Sequence, residues 1–340
     1  MASFRRRIDS CKEKQKNNLV KIKVNSGDLK LFKKKVLVIL GSIVFIGIIL
    51  YISKNIVFYR QYQDDLSITN EELKNKQVTP WGVRLIGQTS KNEKVIKVAI
   101  LDSGVDKEHP DLKGKIIKEF NATNLPNTDK LGHGTAIAGI LTANDNDIGI
   151  VGVRKNIEIY SAKVMRDNGK IYKQDFIKGF EWAILNDVDI INISLGFSKE
   201  FPELKELVKR SIERGIILVA ASGNNYGENA SYPAKYKEVI SVGMINQRLK
   251  PLKQSVIGKI DFVAPGENIL STNNQKLYSY YTGASFSTAF ITGVVAEYLS
   301  YENFTKNNVR QMKIYNCLKI NSKVISGSKK IVGNGIPIIN

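Results

Sequence analysis

The amino-acid sequence predicts an α/β fold: a mostly parallel sheet with helices on both faces, preceded by one transmembrane helix. Three observations predict it. Between residues 95 and 299, apolar runs rich in valine and isoleucine alternate with helix-length segments, the pattern of strands joined by crossover helices. Acid, imidazole, hydroxyl and amide side chains fall at strand ends and helix starts, where such folds gather functional groups. One uncharged apolar run stands alone near the N-terminus.

That run covers residues 36–52, VLVILGSIVFIGIILYI, 17 residues without a charge. As a helix it spans about 25 Å, against about 30 Å for a bilayer core. Lys33, Lys34 and Lys35 before it and Lys54 after it can snorkel to close the difference. The run is longer than a signal-peptide core, its preceding tail is long, and no small-residue cleavage site follows, so it reads as an uncleaved anchor. Residues 1–35 carry 12 Lys and Arg against 3 acids, which places this tail in the cytoplasm and the larger C-terminal part outside the cell. The divisions expected are therefore a basic cytoplasmic tail at 1–35, an anchor at 36–53, a polar linker at 54–76 and a folded domain at 77–340.

The net charge of +19 invites a nucleic-acid reading. The basic run argues against it, because it has little aromatic interleaving and abuts an apolar segment. Cys11 and Cys317 lie in very different segments and offer no internal disulfide framework.

Within the folded domain the elements follow in order. VIKVAIL at 95–101 is a buried strand ending at Asp102, and HGTAIAGILTA from His133 is a small-residue helix that packs closely. IEIYSAKV at 157–164 is a strand and DFIKGFEWAIL at 175–185 a helix; DIINISLG at 189–196 is a strand. ELKELVKRSIERG at 203–215 places Leu204, Leu207, Val208 and Ile212 on one face and stops at Gly215. Two strands follow at 216–222 and 239–245, and SFSTAFITGVVAEYL at 285–299 is an apolar, buried helix.

Three glycine-set islands carry chemistry: Asp102-Ser103-Gly104, His133-Gly134-Thr135 and Gly283-Ala284-Ser285. A serine hydroxyl is a weak nucleophile until a base takes its proton, and that base needs a third group to fix its tautomer and stabilise its cation. The chain has two histidines, His109 and His133. His109 sits in a His-Pro-Asp-Leu turn and reads as structural, which leaves His133 as the base. Ser287 lacks the Gly-x-Ser setting of Ser285.

With these residues in place, the chain from about Gln77 onward resembles the subtilisin-like serine proteases. The resemblance rests on Val98-Ala99-Ile100-Leu101-Asp102-Ser103-Gly104, His109-Pro110-Asp111-Leu112, Gly132-His133-Gly134-Thr135, Ser194-Leu195-Gly196, Ala221-Ser222-Gly223-Asn224, Tyr232-Pro233-Ala234, Ala264-Pro265-Gly266 and Gly283-Ala284-Ser285. Pro202-Glu203-Leu204 brings it nearest the bacterial intracellular type. The resemblance implies a serine endopeptidase that is monomeric and acts on peptide or protein substrates in extended conformation. Ser285 is then the nucleophile, His133 the base, Asp102 its orienting carboxylate and Asn224 the side-chain donor of the oxyanion hole. Ser194, Leu195 and Gly196 are the edge that pairs with substrate backbone, and Ala221, Gly223 and Ser231 border the primary specificity pocket. Phe197 stands where the family often has glycine, which implies a narrowed pocket neighbourhood.

The resemblance also implies a structural calcium ion. Gln77, Asp111 and Asn146 match its side-chain ligands, and Asn144, Ile148 and Ile150 its carbonyl ligands, a mixed oxygen set of the kind calcium favours. Two departures stand out. Ala284 replaces a threonine, and Ala289 a helix-bending proline. They motivate an alternative reading, a catalytically silent family member that binds peptides or a partner. The leading expectation is a bilayer-tethered endopeptidase that processes exported or surface peptides, with no nucleic-acid partner. The linker at 54–76 is too short for the folding prodomain that secreted members carry.

Overall fold

Seven strands run parallel in one sheet: β1 (Ile96–Asp102), β2 (Ile116–Asn121), β3 (Ile157–Lys163), β4 (Ile190–Ile193), β5 (Ile217–Ala221), β6 (Ile240–Ile245) and β7 (Phe262–Pro265). Their order is β2-β3-β1-β4-β5-β6-β7. The computed structural model describes residues 26–88, 93–301 and 304–339. Chain contacts divide the protein into two units, residues 1–61 and 62–340.

In the larger unit, alternation along the strands sends side chains to two cores. Val98 and Ile100 join one core with Ile137 and Leu141 of helix His133–Thr142 and Phe290 and Val294 of helix Ala284–Tyr301. Ala99 and Leu101 join the other with Phe176 and Phe180 of helix Lys173–Leu185 and Leu204 and Leu207 of helix Pro202–Glu213. Strands buried on both faces read as continuous apolar runs for this reason. The order reverses direction between β1 and β4, since β3 lies on one side of β1 and β4 on the other. A crevice opens beyond the carboxyl ends of strands at such a switch point. Asp102 ends β1 and Ser194 follows β4, so the fold itself brings both to one rim.

The smaller unit contains most of helix Ser26–Leu66. Its segment Lys34–Ser53, 20 residues, is long and apolar enough to cross a membrane, by length and composition. Ser42 and Ser53 donate their hydroxyls to the carbonyls of Val38 and Leu50, which leaves little unsatisfied polarity in an apolar setting. Of the basic tail, residues 1–25 lie outside the described residues.

The stretch expected as a linker is structured. The long helix continues to Leu66, and a second, Asn70–Leu73, follows. Thr69 caps the second helix in a capping box with Glu72, a Thr-x-x-Glu signal present in the sequence. Asn70 exchanges two hydrogen bonds with the backbone of Tyr278, at 2.8 and 3.2 Å. Leu73 is buried with Leu270 and Tyr278. The sequence does not announce this, because the apolar run ends at Ile52 and the docked residues Asn70 and Leu73 find their partners about 200 residues away.

Candidate active site

Helix His133–Thr142 starts at the first residue that matters. Gly132 caps it with φ 72°, a backbone conformation open to glycine. Gly134 lets the helix close on β1: a Cβ there would lie 2.0 Å from the Gly104 carbonyl oxygen and 3.2 Å from Asp102 Cβ. The approach sets Nδ1 of His133 2.7 Å from Oδ1 of Asp102. Asp102 is fully buried. Its Oδ1 also accepts the Ser103 N–H at 2.7 Å and lies 3.2 Å from the Ser103 hydroxyl oxygen. Burial pulls the His133 pKa down, but the charge and hydrogen bond of Asp102, helped by Asp129, outweigh it and leave the imidazole above its ordinary value. With Nδ1 donating to the carboxylate, Nε2 is the nitrogen left to accept a proton.

Ser285 lies in the first turn of helix Ala284–Tyr301, after Gly283 with φ 152°. Its hydroxyl donates to the Ser194 carbonyl oxygen at 2.9 Å, and Ser194 returns a bond from its own hydroxyl to the Ser285 carbonyl at 3.2 Å. The His133 ring meets Phe286, the next residue, with ring centroids 5.2 Å apart. The residue after Ser285 thus packs on the imidazole, while the serine hydroxyl itself is turned to the Ser194 carbonyl. Hydrogen bonds at resting catalytic sites commonly differ from those in the substrate complex.

Asn224 accepts the Ala284 N–H through Oδ1 at 2.9 Å, which orients its amide nitrogen as a donor. That nitrogen would sit 3.2 Å from a Cβ at position 283, so glycine there keeps the space beside the amide open. Ser287 is fully buried and its hydroxyl is within hydrogen-bond distance of the Ala264 and Pro265 carbonyls, a structural role. Both His109 nitrogens are bonded, Nδ1 to the Asp111 N–H and Nε2 to the Leu277 carbonyl.

The expected pocket residues converge. A Cβ on Gly196 would lie 2.6 Å from Ser231 Cβ, and one on Gly223 would lie 3.1 Å from Ser231 Oγ. Ala221 ends β5, and the Ser231 N–H donates to the Ser222 carbonyl at 2.9 Å. Leu195 is buried in the second core. Phe197, partly buried, packs its ring against Phe176 and Phe201, each at 5.1 Å between centroids.

Five of the six expected calcium ligands gather their oxygens or amides at one place. Gln77 Nε2 reaches the Asn144 carbonyl at 2.8 Å, the Ile148 carbonyl at 3.2 Å and Asn146 Oδ1 at 3.4 Å. Asn146 also reaches Asp111 Oδ1 at 3.4 Å. Ile150 enters through its N–H, donating to Asp111 Oδ2 at 2.9 Å. Burial pushes the Asp111 carboxyl up to about 6, although bonds from Ile150, Tyr278 and Asn146 pull it down. A buried carboxylate in an oxygen-lined loop fits a hard cation. Among the described residues no three His, Cys, Asp or Glu side chains are grouped so as to hold a metal ion, so the site would depend on neutral oxygens beside Asp111.

Sequence reasoning missed the layer behind the imidazole. Asp129, Ser103 and Lys163 are all buried there. The signal was available: a lysine at the end of a buried strand and an aspartate four residues before His133.

A carboxylate-held imidazole, a serine at a helix start and an aimed amide form the equipment of a serine hydrolase. Comparison with known proteins narrows the class. Residues 93–335 match the subtilase family model. The chain is 37% identical over 290 residues to the major intracellular serine protease of Bacillus subtilis, covering 79% of this chain and 90% of that protein. It is 34% identical over 275 residues to a thermostable alkaline protease of Halalkalibacterium halodurans, covering 78% and 74%. It is 35% identical over 254 residues to an intracellular serine protease of Paenibacillus polymyxa, covering 71% and 78%. The chain belongs to the subtilase family and is a serine endopeptidase.

Proposed function

We propose that Asp102, His133 and Ser285 form the catalytic triad of a membrane-tethered endopeptidase. The observation that carries the reading is the 2.7 Å bond between His133 Nδ1 and buried Asp102, and the packing of Phe286, the neighbour of Ser285, on the same ring supports it. Nε2 of His133 takes the Ser285 proton as Oγ attacks the scissile carbonyl. The oxyanion that forms is met by the Asn224 amide and the Ser285 backbone N–H. His133 then protonates the leaving amine, and a water molecule, activated by the same imidazole, releases the acyl group. The extended substrate pairs with the edge at Ser194, Leu195 and Gly196, and Ala221, Gly223 and Ser231 border the pocket for the residue before the cut.

Gln77, Asp111, Asn144, Asn146, Ile148 and Ile150 would hold a structural calcium ion. Bound calcium supplies charge balance for Asp111 and ties the loop at 144–150 to the segment at Gln77.

The segment Lys34–Ser53 supports a single-pass anchor, and the lysine-rich tail supports a cytoplasmic N-terminus with the catalytic domain outside the cell. A tether suits substrates that emerge at the membrane, such as exported or surface peptides, over bulk digestion. The decisive experiment is labelling with a fluorophosphonate. Labelling that disappears in Ser285→Ala supports the triad, whereas folded protein that never labels points to a silent binding protein. Externally added protease should degrade the catalytic domain on intact cells. Cleavage of casein at the same rate as leader peptides would remove the processing role.

A further inference from the structure

Behind the Asp102–His133 pair lies a second buried carboxylate, Asp129, 6% exposed. Each of its oxygens is engaged twice. Oδ1 accepts the Ser103 hydroxyl at 2.8 Å and the Gly132 N–H at 2.8 Å. Oδ2 accepts the Thr135 N–H at 2.9 Å and the Thr135 hydroxyl at 2.6 Å. Two of these donors belong to the first turn of the helix that begins with His133, where backbone N–H groups lack partners within the helix and favour a negative charge. The remaining link runs toward the triad. Ser103 donates to Asp129 and is within reach of Asp102 Oδ1 at 3.2 Å, and its oxygen accepts the Gly134 N–H at 3.0 Å.

A buried ammonium closes the arrangement. Lys163, fully buried at the end of β3, donates to the Ser103 carbonyl, the Thr128 carbonyl and Asp167 Oδ1, each at 2.9 Å. Those carbonyls belong to the residue after Asp102 and the residue before Asp129, so one cation ties both carboxylate-bearing segments together. Its own ion pair is with Asp167, which offsets the cost of burying the ammonium. Asn274 pins the same loop from the β8–β9 side (Ile269–Thr272 and Tyr278–Tyr281), donating to the Asp129 and Lys130 carbonyls at 2.9 Å.

We propose that Asp129, acting through Ser103 and the first turn of the His133 helix, is a positioning residue for the Asp102–His133 pair, with Lys163 holding the two carboxylate-bearing segments together. This rests on the triad assigned above. The carboxylate does two things. It fixes the helix start that aims the imidazole, and it adds negative charge that favours the imidazolium formed during attack. The charged and titratable groups around His133 are Asp102 on β1, Asp129 and Lys130 on the preceding loop, Lys163 and Asp167 at the end of β3, and Tyr281 beyond Phe286. Asp167 is itself held by Lys163 and by Lys130, the latter at 3.5 Å. Of these groups Asp129 is the one that, besides Asp102, raises the His133 pKa through its charge.

The test uses the full chain in detergent micelles, a chromogenic peptide substrate and a fluorophosphonate. In Asp129→Asn, kcat falls about 10- to 100-fold, the range that misplacing a catalytic group carries, while KM holds. The acid limb of the kcat/KM profile also moves to lower pH, which a purely structural role would not cause. A folded Asp129→Asn with unchanged kcat, or with reduced kcat and an unmoved acid limb, overturns the proposal. Should that variant fail to fold, Ser103→Ala keeps the carboxylate and removes the relay; it is expected to lower kcat at constant KM, and wild-type kcat in it overturns the proposal. The two layers separate cleanly: wild-type protein that does not label at Ser285 defeats the triad assignment, whereas wild type and variants that label at equal rates defeat only the role of Asp129.

Discussion

Nδ1 of His133 donates to Oδ1 of Asp102 across 2.7 Å, and the carboxylate is wholly buried while the imidazole reaches the crevice. In Asp102→Asn the amide can donate to Nδ1, which moves the ring proton to Nε2, the nitrogen that must accept. The expected loss in kcat is about 10⁴-fold, a figure carried over from other serine proteases. Circular dichroism should show the fold intact, because the asparagine keeps the shape of the buried side chain.

The same contact predicts opposite pH trends for activity and stability. The His133 pKa is raised in the folded protein, so protonation favours folding. That contribution is complete below the unfolded value of about 6.5 and is lost as pH rises through the higher folded value. Activity runs the other way, since the base must be neutral to take the serine proton. Melting temperatures and kcat/KM measured across this window should therefore separate wild type from His133→Ala in opposite directions. A wild-type acid limb below the ordinary imidazole range would contradict the raised value.

Among the described residues the Asn224 side chain takes one hydrogen bond, from the Ala284 N–H to its Oδ1. Asn224→Ala removes the donor without touching the triad. The expected effect is a fall in kcat of about 100- to 1000-fold, a magnitude already known for this residue in subtilisin, with KM little changed. Gly283→Ala tests the same space from the other side, since the added methyl would press on the Asn224 amide at 3.2 Å and must adopt φ 152°. Both variants should still label slowly with fluorophosphonate, because Ser285 and His133 remain.

Calcium depletion should lower the melting temperature. A ligand that binds only the folded state stabilises it by about 2.7 kcal/mol at a hundredfold excess over its Kd. A chelator removes that contribution, and readdition of calcium restores it. Asp111→Asn should melt at the same temperature with and without chelator. An identical response in wild type and variant would remove calcium from this loop.

Much of the sheet was legible because parallel strands buried on both faces are continuous apolar runs. The runs ending at Asp102 and preceding Asn224 are strands in the structure, and the segments opening at His133 and near Ser285 are helices. The positions of Asp102, His133 and Asn224 followed from short glycine-set segments, where backbone requirements leave few alternatives. What was not legible depended on partners distant in sequence. Lys163 lies within the strand expected at 157–164, and the Ser103 and Thr128 carbonyls with Asp167 reveal why a lysine is buried there. Asn70 read as linker polarity, although it completes the backbone bonding of Tyr278 more than 200 residues away. Nor does any spacing announce that the Ser285 hydroxyl rests on the Ser194 carbonyl, a choice between side-chain rotations made by local geometry.

The close approach of the His133 helix to β1 depends on a hydrogen atom where any other residue would carry carbon. A Cβ at position 134 would fall 2.0 Å from the Gly104 carbonyl oxygen, a backbone atom without a rotamer to yield. Gly134→Ala must therefore push the helix start from the end of β1. Overpacking of this kind costs about 1–3 kcal/mol in stability. The greater effect should be on chemistry, because the displacement acts along the line that joins His133 to Asp102. An added ångström there is expected to lower kcat by about 100-fold. Ala138, four residues further along the same helix and fully buried, provides the control. Ala138→Gly should cost about 1 kcal/mol of helix stability and leave kcat near wild type. A Gly134→Ala enzyme that keeps wild-type kcat would mean that the helix start yields without disturbing the pair, and that its glycine serves only the turn.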